Sequence, residues 1–443
     1  MKKFFLLLLL FVFTTAAEAA GVKPKYIFLF IGDGMATPQR MIGNEFSRKM
    51  GRGDLVMNTL LFHGTTRTSS ANALITDSAA AATAIACGQK TNNGMIGMTP
   101  DGKAIPSVAE NARDKGKKVG IITSVNLNHA TPSGFYGHQR NRGMYYELAT
   151  DLVASNFDFF GGGGILKYNQ AGKKNIYDLA REKGYTVAVG KKAVNALKPG
   201  KKVIALAGDL QNQMPYSIDA TEKDITLAEI TAKAIEMLDN PNGFFIMIEG
   251  GAIDWAGHAN EAASNLGEVL ALDNAVKTAL EFYKKHPAET LIIVTGDHET
   301  GAMTMGFAGS GKNMNIELLL NQKVSAGMFS RKLQQAKAAD KEFSFDDAKK
   351  MLSEYFGFKF SGDAKKDPMV INAAELKKLQ DNFEKDRLHL AAMDIIARKA
   401  GIGWNSGSHT ALPVLTTSIG CGAEIFTGFF ENTGISRKIN TLL

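Results

Sequence analysis

The chain has 443 residues, a formal charge of +7 and 45% hydrophobic residues, which excludes a disordered polar chain and fits one large globular domain or two ordinary ones. Its two cysteines exclude a cystine framework as the source of stability. The lysines are dispersed among acidic residues, with no basic stripe interleaved with aromatics. This argues against a dedicated nucleic-acid surface and for a solvated basic one that mildly attracts anionic substrates.

At the N-terminus, Lys2 and Lys3 precede an apolar run from Phe4 to Phe13, and Ala17-Glu18-Ala19 follows it. Residues 1–19 thus carry the three-part pattern of a secretory signal peptide. The run is about ten residues, short of what a bilayer of roughly 30 Å requires of a helix. The reading is export to the periplasm or beyond, with residues 20–443 as the folded protein and no later transmembrane segment.

The first buried strand is expected at Lys25 to Ile31, and it runs into Gly32-Asp33-Gly34-Met35. A lone Asp between glycines is usually a turn. Next comes Thr76-Asp77-Ser78-Ala79-Ala80-Ala81-Ala82-Thr83-Ala84, a strong helix former that puts Ser78 at a helix start. There it is either a cap, as Asp77 could also be, or a nucleophile lying where free N–H groups favour a bound phosphate. No Gly-x-Ser-x-Gly elbow surrounds it, so activation by a metal is the consistent option. Cys87 ends this helix, and both it and Cys421 read as small buried residues rather than a bridge.

Further apolar, β-rich runs follow at Val119 to Ile122, Phe244 to Ile248 and Leu291 to Val294, with helical stretches at Ile225 to Leu238 and Glu261 to Tyr283. Continuous apolar runs suit strands buried on both faces, and the alternation argues for an α/β fold: a central, mostly parallel sheet with helices on both faces. Gly161 to Gly164 lacks the features of a phosphate loop and reads as a tight connection. The third run ends in Glu249-Gly250-Gly251 and continues to Asp254 and His258. The fourth ends in Gly296-Asp297-His298-Glu299. Three strands delivering carboxylates to one sheet edge are hard to explain without cations, because like charges brought together repel or lose their ionisation. Asp254 and His258, four apart, share a face of a helical turn. Mixed imidazole and carboxylate ligands suit zinc. From about residue 306 to 400 the chain turns lysine-rich and helical, which reads as an inserted cap or interface. His409 in Ser408-His409-Thr410 is a last candidate ligand.

Taken in order, Ile31-Gly32-Asp33-Gly34-Met35, Thr76-Asp77-Ser78-Ala79-Ala80, His129-Ala130-Thr131-Pro132, Glu249 through His258, Gly296-Asp297-His298-Glu299 and Ser408-His409-Thr410 resemble the alkaline phosphatase family. The resemblance implies two zinc ions and one magnesium. Asp254, His258 and His409 would hold the first zinc. Asp33, Asp297 and His298 would hold the second, with Ser78 as its substrate-side oxygen. Asp33, Thr131 and Glu249 would hold magnesium. Arg142 would grip phosphate oxygens in a bidentate fork, with Arg140 as a nearby alternative. The implied activity is hydrolysis of phosphate monoesters through phosphoserine, by an enzyme whose relatives are often dimers. His129 and Trp255, assigned to the substrate side, depart from the Asp and Lys of the best-known enteric form. The alternatives weighed are a phosphodiesterase or sulfatase of the same superfamily and a non-catalytic phosphate-binding protein. The set Thr131, Arg142 and Glu249 favours the monoesterase, and the complete ligand set argues against loss of catalysis.

Overall fold

The computed structural model describes residues 23–443. The proposed signal peptide, residues 1–19, lies outside the described residues. Among the described residues no helix is long and apolar enough to cross a membrane.

The central sheet has ten strands. In chain order they are β1 (Tyr26–Gly32), β2 (Phe62–Arg67), β3 (Lys118–Asn126), β4 (Phe159–Gly163), β5 (Tyr185–Val189), β6 (Lys202–Leu206), β7 (Phe244–Gly250), β8 (Thr290–Gly296), then β13 (Val414–Gly420) and β14 (Gly428–Glu431). Four two-residue strands lie outside it: β9 (Glu299–Thr300), β10 (Thr304–Met305), β11 (Ile402–Gly403) and β12 (His409–Thr410). The spatial order is β14-β2-β13-β8-β1-β7-β3-β4-β6-β5. From β8 to β5 the neighbours run parallel, and β13 breaks the pattern by pairing antiparallel with both β8 and β2.

The apolar runs are continuous because both faces are covered. Tyr26, Phe28 and Phe30 of β1 enter one core with Phe244, Ile246 and Ile248. Ile27, Leu29 and Ile31 enter the opposite core with Phe245 and Met247. Each such fully buried side chain contributes about 1.5–3 kcal/mol.

The register sets up the active edge. Ile31 of β1 pairs with Glu249 of β7, and Gly32 pairs with both Gly250 and Gly296. Asp33 and Asp297 therefore leave the sheet side by side, one residue past paired ends. The glycines are needed there: a Cβ on Gly296 would stand 2.2 Å from the Met35 carbonyl oxygen, so only a bare Cα lets the chain after β1 fold across the sheet.

Two readings from sequence change. Gly161 to Gly163 lie within β4 rather than in a connecting turn. A Cβ on Gly162 would come within 2.1 Å of the Thr123 carbonyl oxygen, so the glycines serve close strand packing. Cys87 is buried as expected, but Cys421 is only half-buried, and among the described residues no disulfide joins them. The stretch expected to be helical carries the helices Ala326–Ala339, Phe345–Phe356, Ala373–Phe383 and Leu388–Lys399. It lies between β10 and β11, which pair antiparallel, and its Phe329, Leu352, Phe356 and Leu379 share one core with Phe28 of β1.

Candidate active site

Ser78 opens the Ser78–Cys87 helix and is buried. Asp77 is its N-cap, accepting from the Ala80 N–H at 3.0 Å through Oδ1. Its second oxygen accepts from the Gly94 N–H at 3.0 Å and from Arg142 Nη1 at 3.1 Å. Capping and site-building are thus one arrangement, because the cap is also what holds the arginine. Arg140 lies instead over Gly102, so close that a Cβ there would meet its guanidinium at 2.2 Å.

Ser78 Oγ is 3.2 Å from His298 Nε2. The same nitrogen is 3.3 Å from Asp33 Oδ1 and 3.3 Å from Asp297 Oδ2. Neither carboxylate oxygen has a hydrogen-bond donor among the described residues, although both are buried. Burial, reinforced by neighbouring carboxylates, pushes Asp33 and Asp297 well above the usual carboxylate range, and burial drives His298 well below the usual imidazole value. Neutral imidazole lone pairs facing orphaned carboxylate oxygens are what a cation requires.

The neighbouring group joins the helix Ala252–His258 to β12. His258 Nδ1 lies 2.8 Å from the Gly407 carbonyl, and His409 Nδ1 lies 2.9 Å from the Thr76 carbonyl. A carbonyl only accepts, so each Nδ1 carries a hydrogen, and each Nε2 offers a lone pair unless it is protonated. The two Nε2 atoms stand 3.2 Å apart, with Asp254 oxygens 3.4 and 3.5 Å away. The Asp254 carboxylate raises His258 to about 9, and a metal bound through Nε2 would have to displace that proton. Burial alone would raise Asp254, but His258, His298 and His409 hold it below the usual range. Thr300 Oγ1 donates to Asp254 Oδ1 at 2.5 Å, and the His298 and His409 rings stack at 3.6 Å.

A third group brings Asp33, His129 and Glu249 together, with one ligand atom of each within 4.8 Å of the others. Thr131 Oγ1 donates to Asp33 Oδ2 at 3.3 Å. Burial raises Glu249 to about 7; one of its oxygens accepts from Thr123 Oγ1 and the other is buried without a donor. Burial lowers His129 to about 4, leaving a neutral ring whose Nδ1 has no partner among the described residues. His129 therefore stands with the carboxylates, where sequence assigned it to substrate. Trp255 packs edge-on to it at 5.7 Å, and Arg142 Nη2 approaches its Nε2 at 3.5 Å.

Thus Asp33, Ser78, His129, Thr131, Arg142, Glu249, Asp254, Trp255, His258, Asp297, His298 and His409 converge at one sheet edge. Sequence reading missed the groups that aim them: Asp77 on Arg142, Thr123 on Glu249, Thr300 on Asp254, and the Thr76 and Gly407 carbonyls on the histidines. A carbonyl has no sequence signal, and a threonine next to a ligand has only a weak one.

A mostly parallel sheet with a buried helix-start serine and three groups of candidate metal ligands at its carboxyl edge defines an α/β protein with a candidate hydrolase site. More narrowly, the chain belongs to the alkaline phosphatase family, whose model matches residues 24–443. It is 30% identical over 437 residues to alkaline phosphatase 4 of Bacillus subtilis, covering 95% of this chain and 88% of that one. The cold-active alkaline phosphatase of a Shewanella species superposes with a TM-score of 0.82 at 28% identity, over 94% of this chain and 100% of that one. A variant alkaline phosphatase from an Antarctic bacterium, with a histidine replaced by glutamate and magnesium bound, has a TM-score of 0.68 at 28% identity, over 95% and 98%.

Proposed function

We propose that this chain is an exported alkaline phosphatase that hydrolyses phosphate monoesters, with Ser78 as nucleophile. The observation that carries the reading is Ser78 Oγ, at a helix start, 3.2 Å from His298 Nε2 among orphaned carboxylate oxygens. The residues fit cations. Asp254, His258 and His409 would hold one zinc, Asp33, Asp297 and His298 a second beside Ser78, and Asp33, Thr131 and Glu249 a magnesium, with His129 in reach. Such ions, when bound, supply positive charge that eases ionisation of the serine hydroxyl and of the departing alcohol.

The chain's own groups do the rest. The first N–H groups of the Ser78 helix favour an anion. Arg142, braced by Asp77, presents two parallel N–H donors to the phosphoryl oxygens. Ser78 Oγ gives up its proton and bonds to phosphorus as the P–O ester bond breaks, and the departing oxygen takes up a proton from solvent to leave as the alcohol, giving phosphoserine. Water then attacks phosphorus, releasing phosphate and restoring the hydroxyl. Trp255 borders the substrate side. The leader-like residues 1–19 support export. The segment 306–400, tied to the core at β10 and β11, is read as an inserted unit serving as cap or dimer contact.

The test compares p-nitrophenyl phosphate with its bis-ester at alkaline pH, before and after chelation and restoration of zinc and magnesium. Strong monoester preference that returns only with metal supports the reading. A dominant bis-ester activity makes the protein a diesterase, and inactivity on both with metal bound makes it a binding protein.

A further inference from the structure

Beside the ligands lies a carboxylate that none of the roles above uses. Glu299 follows His298 and is fully buried. Its Oε1 accepts from Gln39 Nε2 at 2.8 Å and from the Met303 N–H at 3.2 Å. Its Oε2 accepts from Thr410 Oγ1 at 2.5 Å and from the Ala302 N–H at 3.0 Å. Four donors around one buried carboxylate satisfy it without a cation.

The donors come from the segments that carry ligands. Gln39 lies six residues beyond Asp33 in the helix Thr37–Lys49, and its Oε1 accepts from the N-cap Ala36 N–H at 3.1 Å. Its Nε2 also donates to the Thr300 carbonyl at 3.0 Å. Thr410 is the residue after His409, and it pairs with Glu299 across the β9–β12 ladder, as His409 pairs with Thr300. Ala302 holds a left-handed φ of 48°, a conformation costly for a residue with a Cβ. That turn aims two successive N–H groups at the carboxylate.

We infer that Glu299 is a positioning residue: its carboxylate locks the Asp33, His298 and His409 segments into one frame and so sets the affinity of the site for zinc. The inference rests on the metal reading above. A glutamine there keeps the shape but turns an NH2 group toward donors. Thr410 can rotate its hydroxyl away; the Ala302 and Met303 N–H groups cannot move without opening the turn. Loss of such supporting contacts typically weakens metal affinity by about 10- to 100-fold.

The experiment titrates the metal-free full chain with zinc against a chromophoric chelator, and records the melting temperature of the metal-free form. The proteins are wild type, Glu299→Gln, Thr410→Val and, as a control, Glu268→Gln. Glu268 is also a buried carboxylate accepting a backbone N–H, from Ser217, but it has no part in the site. Zinc affinity should fall about 10- to 100-fold in Glu299→Gln, fall less in Thr410→Val, and stay unchanged in Glu268→Gln even where its melting temperature moves. Added zinc should restore occupancy in Glu299→Gln. If Glu299→Gln fails to fold, Thr410→Val decides alone. Wild-type affinity in the site variants, whatever their melting temperatures, overturns the inference and leaves the metal reading intact. Absence of zinc binding by wild type overturns both.

Discussion

Ser78 and Arg142 carry separable burdens. Replacing Ser78 with Ala removes the proposed nucleophile, and turnover of p-nitrophenyl phosphate is expected to fall at least about 10³-fold, with zinc binding retained. Arg142→Ala removes the donors proposed for the phosphoryl oxygens and should lower kcat/KM by about 10²- to 10³-fold. Lysine should restore little, since a point charge cannot reproduce the planar fork. Asp77→Asn tests whether the brace matters: the N-cap bond to Ala80 can survive, but the charge partner of Arg142 is gone. Its kcat/KM should fall by less than that of Arg142→Ala, with KM rising. Steady-state kinetics on the four variants reads the activities, and zinc titration of Ser78→Ala reads the retained binding. Asp77 was legible only as a cap; its second oxygen meets Arg142 and Gly94 from distant parts of the chain, which spacing cannot show.

At the scale of elements, four of the ten sheet strands were legible in sequence and the rest were not. The runs at 25–31, 119–122, 244–248 and 291–294 became β1, β3, β7 and β8 because residues buried on both faces leave an unbroken apolar signature. The glycines of β4 gave the opposite outcome. Glycine marks turns more often than strands, and only the approach of Thr123 shows why no side chain fits at Gly162. The helix Ala262–Tyr283 bears Glu268, which burial raises to about 7. Between about pH 4.3, where an exposed glutamate ionises, and pH 7, the folded protein keeps a proton that the unfolded chain has lost. Its contribution is therefore fully present below the unfolded value and lost as pH rises through about 7. Glu268→Gln keeps an acceptor for Ser217 without a charge. It should gain stability over wild type between pH 4 and pH 8, by up to about 3 kcal/mol. Urea midpoints across that range provide the check.

For the whole molecule, four buried carboxylates at one edge predict a stability that depends on cations. Asp33, the neighbouring Glu249 and Asp254, and Asp297 come from three stretches far apart in sequence, and anything that binds the folded form alone stabilises it. Removing metal should lower the melting temperature by several degrees: a zinc at about 100 times its Kd contributes on the order of 2.7 kcal/mol. Differential scanning calorimetry with and without chelator, followed by readdition of zinc and magnesium, measures this.

The sequence by itself determined the α/β class, four of the ten sheet strands and the chemical types at their ends. Apolar periodicity and residue identity are local properties that survive without a fold. It also carried the ordered motifs of the family. The tertiary structure decided which atoms meet. Nε2 rather than Nδ1 of His258 and His409 faces the centre, because the Gly407 and Thr76 carbonyls take the other nitrogen. Arg142 rather than Arg140 reaches Asp77, the residue before the serine. His129 stands with Asp33 and Glu249, and Glu299, one residue from a ligand, turns away from the centre to bind four donors of its own. Orientation depends on partners distant in the chain, and those become neighbours only when the sheet closes around its edge.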